Sequence, residues 1–70
     1  MPRLITQIKK YRESCNLSQA ELATIVGVRR ETIIRLEKGQ YNPSLKLAMD
    51  ISKVFNVPME SLFFYEEELM

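Results

Sequence analysis

Apolar residues recur along this chain at helical spacing, in runs separated by residues that tolerate a left-handed backbone. Leu4, Ile8, Tyr11 and Cys15 fall on one face of a first helix, over about 6–15. Leu47, Ala48, Ile51, Val54 and Phe55 do the same in a fourth, behind Ser44 as a helix N-cap. The breaks come at Asn16, Gly27, Gly39 and Asn56, and three of them are followed by a hydrophobe: Leu17, Val28 and Val57. Glycine or asparagine just past a helix, then an apolar residue, is the chemistry of a left-handed C-terminal stop. The restarts are equally marked. Ser18-Gln19-Ala20-Glu21 reads as a capping box, with Leu17 and Leu22 spaced as a hydrophobic staple. Val28 with Ile33 and Val57 with Leu62 repeat that spacing. The pattern predicts five helices, about 6–15, 19–26, 30–38, 45–55 and 59–63, in an all-α bundle. Phe63, Phe64 and Tyr65 favour extended backbone, which makes a small two-stranded ribbon with Arg3-Leu4-Ile5 the expected way of joining the termini.

The stretch Gly27-Val28-Arg29-Arg30-Glu31-Thr32 is the most informative of these joints. Helices two and three are separated by too short a turn to pack antiparallel, so they must cross steeply. Ala23, four residues before Gly27, is small where helix three passes closely. Leu22, Val26, Val28, Ile33 and Leu36 are placed to fill the angle between them. This is the spacing of a helix-turn-helix unit, whose second helix lies in the major groove of DNA. The two arginines at the start of helix three stand where the helix dipole is already positive. An anion outside the chain would compensate them.

Charge refines that picture. The formal net charge is only +1, but Glu66, Glu67 and Glu68 concentrate acid at the C-terminus. Residues 1–60 carry ten Lys/Arg against six Asp/Glu, and Arg29, Arg30, Arg35 and Lys38 lie within ten positions. That is a local basic patch rather than a basic protein. Seventy residues are expected to form one domain over 1–70, with a core small enough to gain from a partner subunit. No apolar run reaches the length of a membrane span, and the single Cys15 cannot form an internal disulfide, which suits a reducing cytoplasm. Cys15 is expected to pack as a small hydrophobe.

The run "LSQAELATIVGVRRETIIRLEKGQYNPSLKLAMDISKVFNVPMESLF" resembles the phage-repressor and Cro-like helix-turn-helix family, most of all its short stand-alone regulators ending in an aromatic-acidic tail. Ser18-Gln19, Ala23, Gly27, Glu37, Gly39 and Tyr41-Asn42-Pro43-Ser44 carry the resemblance most specifically. It implies a dimeric transcriptional repressor bound to a short palindromic operator in double-stranded DNA. Carried over by position, Arg30, Glu31, Thr32 and Arg35 would face base edges. Arginine suits guanine O6 and N7, and glutamate accepts from cytosine N4. Ser18, Gln19, Arg29, Lys38, Gln40, Tyr41 and Asn42 would contact the DNA backbone. The resemblance also pairs Arg12 with Glu37 in a partly buried salt bridge between helices one and three. One departure stands out: the family usually places serine or threonine where this chain has Arg29, so the side-chain cap is lost in favour of a residue able to grip a phosphate.

Without the motif, Arg29, Arg30 and Arg35 read as a solvated helix face. Gln19 on its own is a helix-start residue, Tyr41 a cover for the core edge, and Asn42-Pro43 a turn signal. Met59, Leu62, Phe63, Phe64 and Tyr65 gather more apolar surface than so small a core requires, and are the expected homodimer interface. Catalysis has no support: histidine is absent, no paired-cysteine metal spacing or glycine-rich phosphate loop occurs, and no cofactor or metal is expected. Glu31 and Glu37 fall on different sides of their helix. With no second domain to hold a small-molecule effector, none is expected. The alternative function is a protein-interaction module, such as an antitoxin that also regulates its own operon.

Overall fold

The computed structural model describes residues 3–67, so the expected tail beyond Glu67 lies outside the described residues. In chain order the elements are β1 (Arg3–Thr6), α1 (Ile8–Ser14), α2 (Gln19–Val26), α3 (Arg30–Glu37), α4 (Leu45–Phe55), α5 (Met59–Leu62) and β2 (Phe63–Glu66). The fold is therefore mostly helical with a two-stranded antiparallel ribbon, not strictly all-α. The ribbon aligns Arg3 with Glu66, Leu4 with Tyr65, Ile5 with Phe64 and Thr6 with Phe63.

Pairing with β2 explains the largest difference from the sequence pattern. Leu4 lies in the expected ribbon and not on the face of the first helix, while Thr6, expected to be helical, ends the strand. The ladder satisfies backbone groups that a longer helix would have had to satisfy itself. It is continued by the Gln7 amide, which donates to the Leu62 carbonyl at 2.9 Å. Cys15 is also not where the helical wheel puts it. It is the C-cap of α1 and exposed, because the chain leaves the helix there and turns through Asn16 at φ 57°.

Ile8, Leu22, Ile33, Leu36, Ile51 and Leu62 are fully buried and supply one residue or two from each helix. Burying each such side chain contributes roughly 1.5–3 kcal/mol. Tyr11 and Phe55 meet at a ring-centroid distance of 5.9 Å and tie α1 to α4 beside this cluster. The helix starts are fastened locally. Ser18 Oγ accepts from the Glu21 amide at 3.0 Å, and the Ser18 amide donates to Glu21 Oε1 at 2.8 Å. The bond from the Ser18 amide, then that to its side chain, lowers the Glu21 pKa, so this cap is complete at neutral pH and weakens as pH falls through the lowered value. Ser44 caps α4 in the same way, accepting from the Leu47 amide at 3.1 Å.

Candidate nucleic-acid interface

The turn between α2 and α3 is built by Gly27, which adopts φ 74°, ψ 35°. That conformation lets the Val28 amide reach back to the Ala23 carbonyl at 2.9 Å and ends α2 within one residue. Ala23, 3% exposed, lies in the angle between the two helices with buried Leu22 and Ile33. The helix that follows starts on Arg29, whose backbone is extended and whose side chain provides no cap. The first-turn amides of α3 thus receive no side-chain acceptor from their N-cap, although donors at a helix N-terminus favour an anion.

Arg29, Arg30, Glu31 and Arg35 are exposed and Thr32 is half-buried. Arg29, Glu31, Thr32, Arg35 and Tyr41 line one open cleft of about 350 Å³. The ion pairs among the described residues join Arg3 to Glu66, Arg12 to Glu37 and Lys46 to Asp50, so none neutralises Arg29, Arg30, Arg35 or Lys38. Lys38, Gln40, Tyr41 and Asn42 are exposed on the loop between α3 and α4, and of these Tyr41 reaches the cleft. This loop leaves α3 through a second left-handed glycine. The Gly39 amide donates to the Leu36 carbonyl at 3.0 Å and the Gln40 amide to the Arg35 carbonyl at 2.9 Å.

Behind the exposed face is a buried polar cluster. Arg12 Nε donates to Glu37 Oε2 at 2.7 Å, and Nη2 to Glu37 Oε1 at 3.3 Å. Nη1 of the same guanidinium donates to the Leu17 carbonyl at 2.8 Å. The bonds to Glu37 outweigh desolvation and raise the Arg12 pKa, so this residue stays a cation. Gln19 joins the cluster, its Nε2 donating to Glu37 Oε1 at 3.0 Å. Ser18 is exposed at the start of α2, where its hydroxyl oxygen accepts from the Glu21 amide.

Besides the Gln19–Glu37 bond, two contacts that join the terminal ribbon to this region have no counterpart in the sequence pattern. Thr6 Oγ1 donates to the Glu37 carbonyl at 3.3 Å, and the Tyr65 hydroxyl to Asn42 Oδ1 at 3.2 Å. Both join the terminal ribbon to the end of α3 and its loop. Their partners are 31 and 23 residues apart in the chain, so no local pattern signals them.

The expected interface residues at the C-terminus separate into two kinds. Phe64 and Tyr65 are exposed, at 45% and 59%, and Met59 and Phe63 are half-buried. Leu62 is fully buried in the core and is not available to a second chain. Its spacing from Val57, the staple of α5, had already marked it as an inward residue. Met59, Phe63 and Tyr65 also line an open, mainly apolar groove of about 500 Å³ with Leu4, Pro43, Leu45 and Ala48.

Residues 8–62 match the protein family described as Helix-turn-helix. The chain belongs to that family. This helix-turn-helix protein is 59% identical over 63 residues to an uncharacterized HTH-type transcriptional regulator of Archaeoglobus fulgidus, covering 90% of this chain and 89% of the relative. It is 45% identical over 62 residues to the uncharacterized HTH-type transcriptional regulator YgzD of Bacillus subtilis, covering 89% and 94%. Among solved structures, the restriction-modification controller protein C.AhdI of Aeromonas hydrophila superposes with a TM-score of 0.70 at 26% identity, over 77% of this chain and 82% of that one. The transcriptional regulator VanUg shares the fold, with a TM-score of 0.77 at 24% identity over 96% and 89%. Both of these sequence relatives are named as HTH-type transcriptional regulators.

Proposed function

We propose that this helix-turn-helix protein is a transcriptional repressor that binds a short palindromic operator as a homodimer. The observation that carries the reading is the start of α3. Two exposed arginines, neither in an ion pair with any described residue, stand beside backbone amides that their own N-cap leaves without a side-chain acceptor. DNA phosphate compensates both. Arg30, Glu31, Thr32 and Arg35 then read bases in the major groove, while Ser18, Gln19, Arg29 and the loop residues Lys38, Gln40, Tyr41 and Asn42 hold the backbone and set the register. A two-fold dimer places its recognition helices about 34–36 Å apart, one turn of the duplex.

Selecting bound sequences from a random DNA pool tests this reading, and the expected product is an inverted repeat with half-sites one turn apart. The neighbouring arginines should then behave differently. Arg30→Ala should cost about 1–3 kcal/mol and relax the preference at one base position per half-site. Arg29→Ala should weaken operator and scrambled duplex alike, and reduce the salt dependence by about one unit per subunit. Equal losses on both duplexes for Arg30→Ala would make Arg30 a phosphate clamp and not a reader.

A further inference from the structure

The terminal ribbon meets the end of α3 and the loop after it at three points. Thr6 Oγ1 donates to the Glu37 carbonyl at 3.3 Å. Gly39 lies against the β1 backbone so closely that a Cβ there would stand 2.5 Å from the Leu4 carbonyl oxygen. Tyr65, which pairs with Leu4 across the ribbon, donates its hydroxyl to Asn42 Oδ1 at 3.2 Å. Both strands therefore back the same loop, and the last of these contacts has a chemical consequence for what the loop offers to a ligand.

An asparagine amide has one acceptor side and one donor side, and rotation of the amide exchanges them. A phosphate can use only the donor side. With the Tyr65 hydroxyl donating to Oδ1, the amide is held with its NH2 group turned away from the ribbon. Among the described residues that NH2 group donates to nothing, and Asn42 is exposed. We infer that Tyr65 is a positioning residue for DNA binding: its hydroxyl occupies the carbonyl of Asn42 so that the Asn42 amide presents N–H donors to the phosphate backbone. The inference rests on the DNA-binding reading above and adds a role for a residue far from the recognition helix in sequence. Removing the hydroxyl frees the amide to rotate, so its N–H donors must be ordered when the phosphate binds.

The test is a double-mutant cycle on the full-length chain, using the duplex selected by the wild-type protein. Tyr65→Phe keeps the ring and should weaken binding about three- to tenfold, the range of one hydrogen bond. In an Asn42→Ala background the same substitution should change affinity hardly at all, because there is no amide left to orient. Tyr65 also borders the expected dimer surface, but through its ring, which Tyr65→Phe keeps, so sedimentation should show the wild-type oligomeric state for this variant. Equal affinity of Tyr65→Phe and wild type would overturn the inference, as would an undiminished loss in the Asn42→Ala background or dissociation of the variant into monomers. Failure of the wild type to select any duplex would instead overturn the DNA-binding reading, and the inference with it.

Discussion

Arg12 and Glu37 retain 10% and 6% of their side-chain exposure, which puts two opposite charges almost out of water. Such a pair is tolerable only when its remaining donors and acceptors are engaged, and here Leu17 and Gln19 complete the set. Removing one partner strands the other, so Arg12→Ala or Glu37→Ala should each cost roughly 3–5 kcal/mol. The double substitution to alanine should cost less than the two single losses summed, as read from denaturant unfolding. Strict additivity would mean that the pair contributes nothing through its contact. DNA binding should fall in the single variants too, because Glu37 closes the last turn of α3.

The two glycine turns that bound α3 look alike by backbone angle, with φ 74° at Gly27 and φ 72° at Gly39, but their surroundings differ. A Cβ at Gly27 would meet nothing within 4 Å, so the helix-turn-helix angle itself leaves room there. Gly27→Ala should therefore cost only the left-handed penalty, about 1–2 kcal/mol. At Gly39 the same penalty is joined by collision with the Leu4 carbonyl, at 2.5 Å. That oxygen is backbone within a paired strand and cannot rotate aside. Gly39→Ala should add about 1–3 kcal/mol more, the usual cost of overpacking. Unfolding midpoints checked side by side decide the point: Gly39→Ala no less stable than Gly27→Ala would mean that the ribbon yields easily.

On the scale of the whole molecule, a core centred on six fully buried side chains is small, and much apolar surface stays outside it. Leu45 is 68% exposed, Met49 45%, Phe64 45% and Tyr65 59%. Leu45 and Tyr65 border the groove over α4, α5 and the ribbon, and we propose that this surface, with Phe64 on the same strand as Tyr65, forms the dimer interface. If the proposed dimer forms, Phe64→Glu should yield monomers in sedimentation at concentrations where the wild type sediments as two subunits, with the helical circular dichroism retained. Operator affinity should fall with it, since a single subunit engages one half-site only. A dimer that survives the charge would place the interface elsewhere.

The left-handed stops, the capping box and the hydrophobic staples were legible because each is written within about six residues of chain. They decide where helices begin and end, and through Gly27 they decide the angle between α2 and α3. The local chemistry of Arg29 and Arg30 was legible for the same reason: charge at a helix start is a property of neighbours in sequence. Tertiary structure decided what depends on partners far along the chain. It set the register of the terminal ribbon and drew Thr6 out of the first helix, because β2 offered it a ladder. It left Cys15 outside the core, because a helical wheel cannot know where the chain leaves the helix. It also brought Gln19 to Glu37 and Tyr65 to Asn42, across separations of 18 and 23 residues. Capping and turn energies act between near neighbours and so can be read from the sequence, whereas the orientation of a buried or bridging side chain follows from packing that only the folded chain creates.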